Sequence, residues 1–77
     1  MLVRLLIMIY EFTIDNDLKD LVSAAGFDYK TDNECNLILT VKDKDDSLCL
    51  LPDDNLCNHY LNPTFTEGLI YVNRIDE

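Results

Sequence analysis

The residues best suited to chemistry in this chain are Cys49, Cys57 and His59, with Cys35 further upstream. Thiolate and imidazole are preferred zinc ligands, and a thiol beside an imidazole is the usual start of a cysteine nucleophile. The spacing argues against both. C-x7-C-x-H lacks the paired C-x-x-C of a structural zinc site, and a fourth ligand would have to come from Cys35 or an aspartate. On a helix, Cys57 and His59 stand at i and i+2, a separation that points the side chains apart, so the imidazole is badly placed to serve the thiol as a base. Free cysteines packing as small hydrophobes account for all three. The chain also lacks a glycine-rich phosphate loop, a G-x-S-x-G elbow and an H-E-x-x-H pair. The expectation is a protein without metal, cofactor or enzymatic activity.

The carboxylates are the second group. Fifteen Asp and Glu stand against six Lys and Arg, a net charge of −9, and eleven of the fifteen acids are Asp. Asp15, Asp17 and Asp20, and again Asp43, Asp45 and Asp46, resemble the start of a calcium loop. An EF-hand requires Gly at position six and Glu at position twelve, where these segments hold Asp20 and Gly26, or Leu48 and Asp54. Helix capping and a solvated hairpin tip explain each cluster singly. They do not explain the total. Residues two apart on a strand lie about 6.6 Å from each other, so an Asp-x-Asp array can present charge at a spacing similar to successive phosphates. Asp28, Asp32, Glu34, Asp43, Asp45, Asp46, Asp53 and Asp54 are the candidate partner-binding residues.

The sign of the charge excludes whole classes of partner. Six dispersed basic residues at a pI near 4.2 leave the chain repelled by nucleic acid and by anionic membranes. A basic protein surface, above all a groove that itself holds DNA or RNA, is the partner this charge favours.

The elements that must position these residues follow from periodicity. Met8, Tyr10, Phe12 and Ile14 alternate with Ile9, Glu11 and Thr13, a strand with one buried face. Asp15–Asn16–Asp17 caps a helix over about residues 16–25, with Leu18, Leu21, Val22 and Ala25 on its inner stripe and Gly26 at its C-terminus. Residues 28–34 read as a loop or irregular edge. Leu37, Leu39 and Val41 alternate, the polar run 43–46 follows, and Leu48–Leu51 returns as the second strand of a hairpin closed by Pro52. A short helix opens at Asp53 and ends at Asn62–Pro63, with Leu56, Cys57, Tyr60 and Leu61 facing inward. Thr64–Thr66 and Leu69–Arg74 flank the Glu67–Gly68 turn, and the latter is the last strand.

The order β-α-β-β-α-β predicts an α+β fold, a small antiparallel sheet of three to five strands with one or two short helices on one face. At 77 residues the chain has room for a single domain spanning 1–77, which buries only about 60% of its unfolded surface. Three cysteines without pairing suit a reducing cytoplasm rather than a secreted disulfide framework. The apolar N-terminus, residues 1–10, is too short to span a bilayer and lacks a nearby cleavage site. Because a complete strand pattern begins at Met8, that residue could itself be the natural start.

In size, charge and lack of catalytic motifs the chain resembles the small acidic inhibitors that phages and mobile elements direct against host nucleases, including anti-CRISPR and anti-restriction proteins. The resemblance is one of profile and carries no residues across. It implies an inhibitor acting in the host cytoplasm by occupying a basic groove. An immunity protein against a nuclease toxin would share this profile, and a structural or adaptor subunit could instead form a homodimer through the apolar strand Leu2 to Ile9.

Overall fold

The computed structural model describes residues 7–76. Four strands form one antiparallel sheet: β1, Met8–Ile14; β2, Lys30–Thr31; β3, Leu37–Asp43; and β4, Leu69–Asp76, in the order β2-β3-β1-β4. Three short helices accompany it: α1, Lys19–Ala24; α2, Asp53–Tyr60; and α3, Pro63–Thr66. Two 3-10 turns, Asn16–Leu18 and Asp46–Leu50, precede α1 and α2. The fold is α+β.

β1 is central because its alternation gives it a wholly apolar inner face. Met8, Tyr10, Phe12 and Ile14 are buried and form one cluster with Leu37 and Leu39 of β3, Val22 of α1, Leu56 and Cys57 of α2 and Phe65 of α3. Burying a side chain of this size stabilises by roughly 1.5–3 kcal/mol, so this one layer of helix against sheet is what holds the molecule together. The register sets β1 against both neighbours: Met8 pairs with Asp43 and Asp76, and Ile14 with Leu37 and Leu69. Thr13 pairs with Tyr71 while Ile14 pairs with Leu69, which leaves Ile70 as the extra residue of a bulge. The sheet therefore has two distinct ends. One gathers Ile14, Leu37 and Leu69, the other Met8, Asp43 and Asp76.

Helix α1 stops where Gly26 adopts φ +86°. The Phe27 N–H donates to the Val22 carbonyl and the Gly26 N–H to the Ser23 carbonyl, the paired bonds of a Schellman cap. Phe27 then folds back onto the core, edge-on to Phe65 at 5.7 Å between ring centroids.

Several expectations are corrected. Residues 48–51 form no strand, so the hairpin expected after β3 is absent; the segment lies largely in the 3-10 turn Asp46–Leu50, capped by Asp45. Leu48, Cys49 and Leu51 pack on the core while Leu50 is 86% exposed. The partner of β3 on that side is the two-residue β2 instead. Thr64–Thr66 belong to a third helix, because Asn62 accepts from the Thr64 N–H and Pro63 supplies a preset φ at the first helical position. The inner stripe of α1 is narrower than expected. Only Leu18 and Val22 meet the core, and Leu21 is 48% exposed, since a six-residue helix touches the sheet along a single line. Of the apolar strand Leu2 to Ile9, residues 2–6 lie outside the described residues. Met8 and Ile9 are paired on both sides, so they offer no free edge to a second copy.

Candidate functional site

The acids owe their positions to a repeated local device. Asp15 accepts a hydrogen bond from the Asp17 N–H at 2.9 Å, Asp32 from the Glu34 N–H at 2.8 Å, Asp43 from the Asp45 N–H at 3.1 Å and Asp45 from the Ser47 N–H at 3.1 Å. Each is an Asx turn, in which a short carboxylate reaches the backbone two residues on. Glu is one carbon too long to do this as readily, which accounts for Asp at these four of the eleven aspartate positions. The Asp-x-Asp spacing therefore reflects turns. No strand carries these acids in file, so the expected ladder of carboxylates at phosphate spacing is not present among the described residues.

At Asp32 and Asp43 these bonds favour the charged form. Asp32 is slightly desolvated, which alone would raise its pKa, but the N–H groups of Asn36 and Glu34 outweigh that and hold it below the ordinary carboxylate range. Asp43 is held low chiefly by the Tyr60 hydroxyl, which donates at 2.6 Å, and then by the Asp45 N–H. The donors are neutral. Among the described residues there is one ion pair, Arg74 to Asp53 at 2.7 Å, and the same guanidinium donates to the Leu51 carbonyl at 2.9 Å.

The structure does not unite the eight candidate residues. Asp43 and Asp45, with the backbone of Asp46, belong to the end of the sheet that holds Met8, and Asp53 joins them through its ion pair to Arg74, which pairs with Tyr10; Asp54 follows Asp53 in the first turn of α2. Asp32 and Glu34 lie beyond the other end of β3, six residue steps or about 20 Å away. Asp28 stands between, beside Ile38 and Thr40 at the β2 edge.

The Ile14 end gathers acids that the linear sequence kept apart. The Asn16 side-chain amide donates to the Cys35 carbonyl at 2.9 Å, tying the Asp15–Asp17 turn to the Asp32–Asn36 turn. The Asp15 N–H donates to the Gly68 carbonyl at 2.8 Å, bringing in Glu67. Asp15, Asp17 and Glu67 then line one shallow depression of about 240 Å³ with Leu18 and Gly68. Segments 15–20, 30–36 and 65–69, which build this end, hold six acids and two basic residues, Lys19 and Lys30, the latter paired with Ile38. At the Met8 end, segments 42–46, 53–54 and 74–76 hold six acids and three basic residues, Lys42, Lys44 and Arg74. The less compensated surface is the one with Asp15, Asp17 and Glu67, which the sequence reading assigned only to capping and a turn. Their convergence depends on long-range contacts and leaves no trace in spacing.

The cysteines and the histidine do not form a centre. Cys35 is exposed, Cys49 half-buried and Cys57 buried, all three are free, and burial pushes the Cys57 thiol up. His59 stacks edge-on against Tyr60 at 4.8 Å. Among the described residues no three His, Cys, Asp or Glu side chains come together as a metal site, and no helix is long and apolar enough to cross a membrane.

No protein-family model matches the chain, and neither the curated proteins nor the solved structures contain a significant match to it.

Proposed function

We propose that this protein is a non-enzymatic inhibitor that binds the basic, nucleic-acid-holding groove of another protein through the acidic Ile14 end of its sheet. A defence nuclease, such as a CRISPR or restriction complex in the cytoplasm of a host cell, is the kind of target this charge suits. The observation that carries the reading is the way the carboxylates are held. Asp15 and Asp32 are fixed by backbone amides and not by lysine or arginine, so their charge is neither neutralised nor free to wander. Fixed, uncompensated charge adds little ordering cost on binding and steers a basic partner toward it. Asp17, Glu34 and Glu67 stand exposed around these anchors and accept none of these hydrogen bonds. They are available to the partner's cations.

The test is displacement of labelled duplex DNA from purified RNA-guided nucleases, restriction endonucleases and nuclease toxins. The reading expects displacement, with loss of cleavage, for at least one of them, and lower potency for D17N/E34Q/E67Q. Displacement unaffected by that triple would reject the Ile14 end as the contact.

A further inference from the structure

The two edges of the sheet are built differently. β2 closes one edge with two residues, Lys30 and Thr31, short and charged as protected edges usually are. β4 forms the other edge with eight residues, Leu69–Asp76, and pairs only with β1 among the described residues. It has no proline and no lysine, and its bulge lies at one end, at Ile70, leaving Tyr71–Asp76 regular. Ile70, Tyr71 and Ile75 are 49%, 52% and 38% exposed. Two edge-protecting devices are present, the bulge at Ile70 and the inward charge of Arg74, but the first lies at one end of the strand and the second is neutralised by Asp53.

We infer that β4 pairs antiparallel with β4 of a second copy, about a two-fold axis at Asn73, to give one continuous eight-stranded sheet. Residues opposite each other across two antiparallel strands share a face, so a register that keeps both helical layers on one side must pair odd positions with odd. Centring on Asn73 does this. It sets Tyr71 opposite Ile75 of the second copy, twice, on the open face, and Val72 opposite Arg74 on the helical face. Aromatic and β-branched residues are favourable cross-strand partners. In a chain of net charge −9, residues 69–75 carry no acid and one cation, Arg74, and the acids nearest them are Glu11, which accepts from the Asn73 amide, and Asp32 and Glu34, which share a shallow depression with Ile70 and Tyr71.

This assignment does not depend on the inhibitor reading, and salt separates the two. Contact between an acidic surface and a basic groove weakens as salt rises, whereas a β4 dimer of two acidic chains tightens as their mutual repulsion is screened. The experiment is sedimentation equilibrium of the full chain from micromolar to millimolar concentration at low and moderate salt, with hydrogen exchange read on the peptide covering 69–76. The expected result is a monomer–dimer equilibrium strengthened by salt, with slower exchange in that peptide as dimer forms. In an E11Q background, which removes the carboxylate that the Asn73 amide otherwise meets, N73K sets like charges across the axis and should weaken the dimer roughly tenfold, as should N73D, while an equimolar mixture of the two should restore it. Circular dichroism of each variant separates loss of pairing from loss of fold, and restoration in the mixture requires both to be folded. A protein that is monomeric throughout, a dimer loosened by salt, or a dimer indifferent to both substitutions would overturn the inference. Pairing of this edge with a strand of another protein alone would appear as the first of these.

Discussion

The rings of Tyr10 and Tyr60 lie in one aromatic cluster, with centroids 5.1 Å apart, yet among the described residues only the Tyr60 hydroxyl has a hydrogen-bond partner. Tyr60 donates to Asp43, and burial together with that carboxylate pushes its pKa well above the ordinary phenol value. Tyr10 is fully buried, its hydroxyl has no partner among the described residues, and burial raises its pKa too. An unmet buried hydroxyl is a cost, so Y10F should leave stability unchanged or raise it by up to about 1 kcal/mol in urea unfolding. Y60F should lower the melting temperature, because it strips Asp43 of its strongest donor. Acid should show the same carboxylates at work. Asp32 and Asp43 have folded pKa values below their unfolded value of 3.8, so their contribution is complete above about pH 4 and is lost as pH falls through the folded values. Melting temperature should therefore fall below about pH 4, and D32N, which keeps the turn oxygen but cannot titrate, should flatten that fall. A D32N acid limb as steep as that of the native protein would show that Asp32 is not among the groups responsible. Of the carboxylate roles, the cap at Asp15 is legible in the chain, whereas the Tyr60–Asp43 bond, spanning 17 positions, is not.

At the scale of elements, legibility tracked how much of each signal was local. β1 was plain because four apolar residues alternate over seven positions, and the C-terminus of α1 because Gly26 and Phe27 are adjacent. The run Leu48–Leu51 misled because four consecutive apolar residues fit a strand and a 3-10 turn equally well, and burial of Leu48 and Leu51, three apart, settles it. Asp45 with Ser47 two positions on was the overlooked start signal. Asn62–Pro63 signals the end of α2 and is at the same time the cap and first residue of α3. The α1 terminus gives a sharp prediction. An added Cβ at Gly26 meets nothing within 4 Å, so G26A should be destabilising through φ alone, by about 1 kcal/mol in denaturant unfolding. An unchanged midpoint would mean that the cap relaxes to another backbone conformation without cost.

For the whole molecule, what matters is that the fold sorts one excess of acid into two unequal ends. Both ends hold six acids in their segments, but three basic residues share the Met8 end and two, Lys19 and Lys30, the Ile14 end. The total charge and the preference for a basic partner were visible in composition, whereas the sorting required the register of β1 against β3 and β4. The most direct measurement is duplex displacement from a responsive nuclease at low and moderate salt, using the native protein, D17N/E34Q/E67Q and the opposite-end triple D45N/D46N/D54N. None of the first three side chains accepts one of the described hydrogen bonds, so their loss should spare the melting temperature. The account predicts that potency drops steeply with salt, that the first triple loses severalfold more than the second at low salt, and that the difference narrows as salt rises. Equal potency of both triples with the native protein, or displacement that ignores salt, would contradict it.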